Sequence, residues 1–523
     1  MKSSDKFLRG AMILTIAGLL VKVIGSVNRI LLSRLLGGEG IGLYQMAYPV
    51  YLLLLSISAA GIPVAISIIV AEYLAQRDYA NVRQVFRVSL RLMAVVGLVL
   101  AAALVMAAGW LVENGVIKDA RAYYALLALT PAIFFATILA SFRGYFQGHQ
   151  LMTPPAVSQI VEQFIRVVTM VVLAYVLLPY GLEYAAAGAA FGAVPGSLTG
   201  LVVLGGFYRY YKKQWRDEEC ALPGAQLTPA RRLIKRLLLL ALPVSCANVI
   251  VPVTSSIDVL LVPKYLLAAG FSVKEATTQF GYLAGMAQPL LLMATIPTMS
   301  LATSLVPAVS EAMALKRWPL IEEKLATAMK LCCLITVPAA VGMSALAGPI
   351  SRLLYGTGEA AAAIMHSGPA IWFLGLQQVT TGMLQGMGHT NLPMLHMLAG
   401  IVAKLIAVCQ LTNAEYGIAG AAWATNINFG VTAALNILAL QYFKIKFHWL
   451  SICKIIFAAL IMGAAAQALH GLLAGFNYTL ATLAALSGAG VVYAALLPLL
   501  RIISVAELKQ LPLVKKLAQK LRK

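Results

Sequence analysis

Basic residues inside long apolar segments are the side chains of this sequence that are best placed to bind a ligand. Lys22 and Arg29 stand seven residues apart in one such segment, with Gly25 and Ser26 between them on the same helical face. No acidic residue stands three or four positions from either cation. Because a lysine or arginine at the centre of a bilayer costs roughly 2.5 to 3.5 kcal/mol, these two need water or an anionic partner. We expect them to line a wet cavity that binds an anion.

Two further polar stripes occur at helical spacing. The members of the first recur at intervals that place them on one helix face, and they are Gln159, Glu162, Gln163 and Arg166. Glu162 and Arg166 are four positions apart, so a structural ion pair and a ligand-binding role fit this spacing equally well. The second stripe consists of His396, Gly400 and Lys404, and Lys404 has no acid three or four positions away. We predict that both stripes face the same cavity.

The balance of charge inside the apolar segments favours an anionic ligand. Four cations and two acids stand there, namely Lys22, Arg29, Arg166, Lys404, Glu162 and Asp258. A pyrophosphate diester carries about two negative charges and would neutralise the surplus, whereas an organic cation would be repelled. We predict that the four cations, together with Glu162, bind the charged headgroup of a ligand.

Asp258 is the acid best suited to bind a coupling cation. Thr254 and Ser255 precede it by about one helical turn, and carboxylate and hydroxyl oxygens are ligands of hard cations and carriers of protons. A role as counter-ion to Lys264 explains the same residue equally well. We expect Na⁺ or H⁺ to act at Asp258, and we expect no bound metal or other cofactor.

Glutamines complete the predicted cavity lining, and they are Gln159, Gln163, Gln378 and Gln385. Gln378 and Gln385 share a helical face with Thr381, just as Tyr44 and Tyr48 share one with Tyr51. Either face suits a sugar path. Packing is the more ordinary role of an aromatic stripe.

The elements that position these residues are predicted to be membrane-spanning helices. Hydrophobic residues make up 61% of the 523 positions and charged residues only 11%. The apolar residues fall in runs of roughly 20, the length that crosses a bilayer as a helix, and short polar breaks separate the runs. We predict an all-helical polytopic membrane protein of about fourteen spans, the first two near residues 10–36 and 43–71.

The excess of basic residues is a topology signal. The sequence has 40 lysines and arginines against 19 acids, and most of the basic residues fall in alternate breaks between the apolar runs. Because lysine and arginine stay preferentially on the cytoplasmic side, an even number of spans with both termini inside fits this bias. The pattern argues against a nucleic-acid partner, whose binding would cluster these charges on a soluble face. We expect a monomer in the bacterial cytoplasmic membrane.

An internal repeat organises the chain. Gly144, Gln147, Gly148 and Pro155 recur 238 positions later as Gly382, Gln385, Gly386 and Pro393. A repeat unit of six helices gives two copies of the same orientation, with a cavity expected between them. The repeat predicts four parts, namely an N-terminal lobe over 1–230, a C-terminal lobe over 231–445, an extra helix pair over 446–503 and a basic amphipathic cytoplasmic tail over 504–523.

Several short motifs resemble those of a known transporter group. They are Lys22-Val-Ile-Gly25, Arg34-Leu-Leu-Gly37, the stretch from Ala59 to Glu72, a predicted loop over Arg143–Gly148, and Ser256-Ile-Asp258. In these motifs the chain resembles the stage V sporulation protein B group of polysaccharide transporters. That group belongs to the multidrug/oligosaccharidyl-lipid/polysaccharide exporter superfamily, which also holds the MurJ-type lipid II flippases.

The resemblance implies two six-helix lobes in a V shape, alternating access, and a final helix pair with a groove for a lipid tail. It also implies an anion-binding role for Lys22, which stands where lipid II flippases have a helix-1 arginine. Their second helix-1 arginine falls on Asn28, beside Arg29. Asp258 stands where some relatives have a sodium-binding acid, but this sequence lacks the partner acid expected on helix 11.

We therefore predict a flippase that moves an undecaprenyl-pyrophosphate-linked sugar, lipid II or a related polysaccharide precursor, from the inner to the outer leaflet. Its partners would be this lipid-linked oligosaccharide and membrane lipids. A cation-coupled multidrug exporter is the first alternative, and it favours a cavity of acids and aromatics. A membrane glycan transferase or ligase is the second, and it requires catalytic groups on sizeable external loops, whereas the external breaks here are short. We predict a transporter without enzymatic activity.

Overall fold

The fold is all-helical wherever the structure, a computed structural model, describes the chain. The described residues are 3–59, 61–219, 227–443, 445, 449–475 and 477–502. Every regular element within them is a helix, which confirms the predicted fold class. The predicted tail over 504–523 lies outside the described residues.

Within the described ranges, nine helical segments are long and apolar enough to cross a membrane. A tenth is formed if Val273–Ala294 and Ile296–Ala314, which meet at a bend of 47°, make one span. The first segment runs 60 residues from Ile16 to Ala75 and overlaps both of the first two predicted spans. The predicted number of about fourteen spans therefore stays a prediction.

The chain divides into two compact units, Met1–Gly285 and Met286–Lys523. The helices of the first unit are α1 (Ser3–Ala59), α2 (Ile62–Ala75), α3 (Tyr79–Glu113), α4 (Ala122–Gly148), α5 (Thr153–Leu177), α6 (Leu182–Phe191), α7 (Ala193–Glu219), α8 (Ala230–Ala268) and α9 (Val273–Gly281). Those of the second are α10 (Gln288–Ala294), α11 (Ile296–Ala314), α12 (Trp318–Ala345), α13 (Ala347–Tyr355), α14 (Ala361–Gly386), α15 (Asn391–Leu411), α16 (Gly417–Tyr442), α17 (Trp449–Leu473) and α18 (Tyr478–Leu499). The predicted lobe boundary at 230/231 stays a prediction.

Local sequence explains where several of these helices begin and bend. The long α1 breaks at Gly37, whose φ of 66° and ψ of −174° are not helical. This break lies between the first two predicted spans, and glycine adopts such a backbone without steric penalty. Asp78 caps α3 by accepting a hydrogen bond from the backbone N–H of Asn81 at 3.0 Å. Pro154 and Pro155 stand in the first turn of α5, where the backbone N–H that a proline lacks would have had no partner within the helix.

The glycines of the internal repeat are helix-crossing points in the first unit. A Cβ atom at Gly144 on α4 would lie 2.7 Å from the carbonyl oxygen of Pro63 on α2. A Cβ atom at Gly148 would lie 2.7 Å from the Cβ of Val70. Because real Cβ atoms do not approach so closely, α2 and α4 can pack at this distance only with glycine at both positions.

The second unit contains the same crossing, built from the repeated motif. A Cβ atom at Gly382 on α14 would lie 2.7 Å from the carbonyl oxygen of Ala302 on α11, and one at Gly386 would lie 2.7 Å from the Cβ of Val309. The turns after these helices also match, since Arg77 and Lys316 both have positive φ, at 57° and 52°. The two halves thus share backbone geometry as well as sequence.

Replacing Gly144 or Gly382 by alanine is expected to destabilise the protein by about 1 to 3 kcal/mol, because the new methyl group meets backbone atoms of the neighbouring helix. The measurement is thermal unfolding of the purified variants in detergent. Gly205→Ala on α7 is the matched control, since nothing lies within 4 Å of its added Cβ atom. Equal melting temperatures for Gly144→Ala and Gly205→Ala would contradict the proposed crossing.

The second unit also contains an apolar groove between three helices. It has a volume of about 510 Å³ and lies between Val337 and Val341 of α12, Trp372 of α14, and Leu460 of α17. The last helix, α18, packs against α17. The groove is therefore formed with the helix pair that follows the repeat.

Candidate functional site

The polar stripe of α1 lies against the polar stripe of α5. A Cβ atom at Gly25 would stand only 3.2 Å from the side-chain nitrogen of Gln163, so glycine permits this approach. One turn further along, the amide of Asn28 donates a hydrogen bond to the sulfur of Met170 at 3.3 Å. The two stripes predicted from the sequence therefore meet within the first unit.

The cations of the α1 stripe are accessible. The Lys22 side chain is exposed and the Arg29 side chain is half-buried. The guanidinium carbon of Arg29 stands 6.0 Å from the ring centroid of Tyr48, at the outer limit of a cation–π contact. Such a contact holds the side chain in place and leaves its N–H donors in their plane for an anion.

The tyrosines of α1 form a connected row next to these cations. The rings of Tyr44 and Tyr48 stack with centroids 5.3 Å apart, and those of Tyr48 and Tyr51 are 5.9 Å apart. Tyr44 and Tyr51 are buried, whereas Tyr48 is partly exposed. All three rings are close enough to Arg166 to interact with it electrostatically. The row therefore packs within the protein and lies beside the charged site along its whole length.

Glu162 on α5 holds two arginines at once. Its Oε1 accepts a hydrogen bond from Arg166 Nη2 at 2.8 Å, and its Oε2 accepts one from Arg143 Nη2 at 2.6 Å. The three side chains are 13% to 20% exposed, which is low for charged groups. One carboxylate neutralises one guanidinium, so this cluster keeps a net charge of +1. Gln159 and Gln163 on the same helix are partly exposed beside it.

The remaining predicted binding residues lie in the second unit. Lys404 lies on α15 and is buried, with 2% of its surface exposed. Gln378 accepts a hydrogen bond from the hydroxyl of Thr298 at 2.7 Å, while Gln385 is exposed. In this structure the ammonium of Lys404 is enclosed by protein, unlike that of Lys22.

A polar network joins α14, α15 and α16 around His396, which precedes Lys404 on α15 by eight residues. Nδ1 of His396 and Oδ1 of Asn436 are 2.8 Å apart. The Asn436 amide also donates hydrogen bonds to the hydroxyls of Thr380 and Thr381, each at 3.1 Å. In a network of this kind the polar groups satisfy one another's hydrogen bonds, and this fixes a single arrangement of the neighbouring helices. His396, the first residue of its stripe, therefore stabilises the packing of α15 against α16.

Asp258 is buried on α8, with 4% of its surface exposed. Ser245 on the same helix accepts a hydrogen bond from the backbone N–H of Gly61 at 3.1 Å and so ties α8 to the start of α2. Lys264, the alternative partner considered for Asp258, stands 5.8 Å from the ring of Tyr265. The ion-coupling role of Asp258 stays a prediction.

A second charged cluster of the first unit lies where α1, α9 and the turn before α4 meet. Arg121, in the turn before α4, pairs with Glu39 of α1 at 2.6 Å and with Asp119 at 2.8 Å. The hydroxyl of Thr277 on α9 donates a hydrogen bond to the same Asp119 carboxylate at 2.8 Å. Burial alone would raise the pKa of Asp119, but the hydrogen bonds from Arg121 and Thr277 outweigh burial and lower it. The cluster therefore stays ionised and joins α1, α4 and α9.

Comparison with known proteins decides the family. The model described as polysaccharide biosynthesis protein matches residues 7–313, and the MatE model matches residues 283–408. The chain belongs to the polysaccharide biosynthesis protein family. Stage V sporulation protein B of Bacillus subtilis is 32% identical, over 98% of this chain and 99% of the relative. The resemblance predicted from the sequence motifs is confirmed.

Two further similarities place the chain within the superfamily. Lipid II flippase MurJ of Bacillus subtilis is 26% identical over 77% of each chain. A solved structure of lipid II flippase MurJ in an inward closed conformation matches with a TM-score of 0.71 at 15% identity, over 93% of this chain and 98% of that one. The protein is therefore a multi-pass membrane transporter of the flippase type, and its relatives are named as flippases and transporters rather than enzymes.

Sequence reasoning missed Arg143 as a member of the charged site. We expected the Arg143–Gly148 motif to form a loop, but these residues are the last turns of α4. The prediction of a loop is therefore wrong. From its position on α4, the Arg143 side chain contacts Glu162 of α5. The sequence did contain one indication of this contact. Glu162 can pair with Arg166 through one carboxylate oxygen, and its second oxygen has no partner within α5, so a cation from another helix could be expected there.

Proposed function

We propose that this protein is a flippase that moves an undecaprenyl-pyrophosphate-linked sugar from the inner to the outer leaflet by alternating access. The observation that carries this proposal is the positive charge where α1 and α5 meet. One acid, Glu162, accompanies four cations there, and they are Lys22, Arg29, Arg143 and Arg166. A net charge of +3 suits a pyrophosphate, which binds arginine through charge-assisted hydrogen bonds.

The apolar groove between α12, α14 and α17 suits the lipid part of such a substrate. Its volume of about 510 Å³ lies within the range of small-molecule sites, and aliphatic side chains make up most of its walls. An isoprenoid chain needs such a surface because it gains about 0.8 kcal/mol for each buried CH₂ group. We infer that this groove of the second unit offers an apolar surface to an isoprenoid tail.

A coupling ion or the membrane potential would drive the cycle. We propose that Na⁺ or H⁺ acts at the buried Asp258 and favours one of two states of the protein. The protein would work as a monomer in the bacterial cytoplasmic membrane with both termini in the cytoplasm, as the distribution of basic residues predicts.

A cation-coupled multidrug exporter is the second candidate, and the MatE match over residues 283–408 is the observation that favours it. The charge of the α1 and α5 stripes argues against it. A cationic drug would be repelled by four basic groups and attracted by one acid that already binds two arginines.

The test is translocation by the purified protein in liposomes. Fluorescent lipid II, a different undecaprenyl-pyrophosphate-linked sugar and a cationic dye are compared, and each is scored by its loss of protection from an impermeant quencher. We expect transport of at least one lipid-linked sugar and none of the dye. Transport of the dye alone would overturn the proposal.

A cell assay then distinguishes the cargo. Growth restored after depletion of the cell's essential lipid II flippase would identify a peptidoglycan precursor. Failure to restore growth, combined with transport of the second sugar in liposomes, would assign the protein to another polysaccharide.

A further inference from the structure

A second groove lies in the first unit, between α1 and α5. It has a volume of about 500 Å³ and is lined by Leu31, Arg34, Leu35, Val171, Val172 and Tyr175. Its walls are aliphatic apart from the guanidinium of Arg34 and the phenol of Tyr175. An apolar groove with one basic group is shaped for an amphiphile with an anionic head.

This groove is separate from the charged site proposed for the substrate headgroup. Successive residues of an α-helix are rotated by about 100°, so Leu31 lies about 160° around α1 from Arg29. Arg34 lies about 140° from Arg29, on the opposite side of the same helix. The substrate cations and the groove therefore occupy opposite faces of α1, and a ligand of one face does not reach the other.

The side chains of the groove are exposed in the manner of lipid-facing residues. Leu31 is 47% exposed, Val172 51% and Tyr175 69%, and the Arg34 side chain is also exposed. Tyrosine is enriched at the level of lipid headgroups, and arginine near a span end reaches toward the same level. Arg34 precedes the helix break at Gly37 by three residues and so stands at such an end.

We propose that Arg34 and this groove bind an anionic phospholipid of the outer leaflet. The phosphodiester would accept paired hydrogen bonds from the Arg34 guanidinium, and one acyl chain would lie along Leu31, Leu35 and Val172. Charge complementarity selects this occupant, because a planar guanidinium matches a phosphate in both charge and geometry. The assignment to the outer leaflet rests on the proposed orientation, but the binding itself does not depend on the transport function.

The test is native mass spectrometry of the purified full-length protein with added phosphatidylglycerol or phosphatidylcholine. We expect the wild type to retain phosphatidylglycerol about tenfold better than Arg34→Gln does, since a charge-assisted hydrogen bond is replaced by a neutral one. Arg352→Gln is the matched control, because Arg352 is also an exposed arginine but lies in the second unit. It should bind both lipids as the wild type does.

A second variant tests the acyl-chain part of the site. Val172→Trp should fill the groove and lower retention of phosphatidylglycerol even though Arg34 is present. The proposal is overturned if Arg34→Gln retains phosphatidylglycerol as the wild type does, or if Arg352→Gln loses it equally. If Arg34→Gln lost undecaprenyl phosphate but kept phosphatidylglycerol, the groove would belong to the substrate, and this result would also overturn the proposal. These outcomes are independent of transport, so they do not bear on the proposed function.

Discussion

Replacing Lys22 or Arg29 by alanine is expected to lower translocation of the lipid-linked sugar by roughly ten- to hundredfold while leaving the amount of folded protein unchanged. Lys22 is exposed and Arg29 is half-buried beside Tyr48, so we expect the protein to fold when either side chain is shortened. Each would supply a hydrogen bond to a phosphate group, worth about 1.5 to 3 kcal/mol. Loss of one such contact lowers affinity by roughly ten- to a hundredfold. The measurement is the liposome assay with fluorescent lipid-linked sugar.

Controls separate this effect from a general loss of positive charge. Arg209→Ala removes one exposed cation from α7 and should transport at the wild-type rate. Lys22→Arg keeps the charge and should retain most of the activity. Wild-type transport by both Lys22→Ala and Arg29→Ala would remove these residues from the binding site.

Replacing Glu162 by glutamine is expected to destabilise the protein by about 3 to 5 kcal/mol, the usual effect of removing one partner of a buried ion pair. The loss would be large because the carboxylate serves both Arg143 and Arg166, at 2.6 and 2.8 Å. Two guanidiniums would remain in the membrane region with only a neutral amide between them. The measurement is the melting temperature in detergent, together with the yield of monodisperse protein.

A double-mutant comparison tests whether Arg143 and Glu162 act together. Arg143→Gln combined with Glu162→Gln should destabilise by less than the sum of the single changes, with a coupling of about 0.5 to 3 kcal/mol. Glu113→Gln is the matched control, since Glu113 is exposed at the end of α3. If Glu162→Gln melts like Glu113→Gln, the cluster has no structural role.

Features that depend on neighbours along the chain could be predicted from the sequence. The polar faces of α1 and α5 follow from helical spacing, and the repeated glycines follow from their constant separation. Both are local or periodic properties of the sequence, so they can be recognised without knowing how the helices pack. Even the turn chemistry repeats, since Gln150 and Gly388, 238 positions apart, both have positive φ.

Features that depend on packing between distant helices could not be predicted. Arg143 reaches Glu162 across the contact of α4 with α5, and no spacing rule links residues on different helices. Lys404 has the same sequence signature as Lys22, yet it is buried while Lys22 is exposed. A helical stripe identifies a shared face. It does not identify what that face contacts.

The charged cluster of Arg121, Glu39 and Asp119 bears on how the chain divides into two compact units. By the repeat, α8 and α9 begin the second half of the sequence, yet they pack with α1 in the first compact unit. Arg121 and Thr277 both donate hydrogen bonds to Asp119, and these contacts hold α9 against the turn before α4. In the proposed cycle we expect these contacts to break when the outer end opens. We infer that the division after Gly285 would then belong to one stage of the proposed cycle, and that the same chain at the opposite stage would divide near the repeat boundary instead.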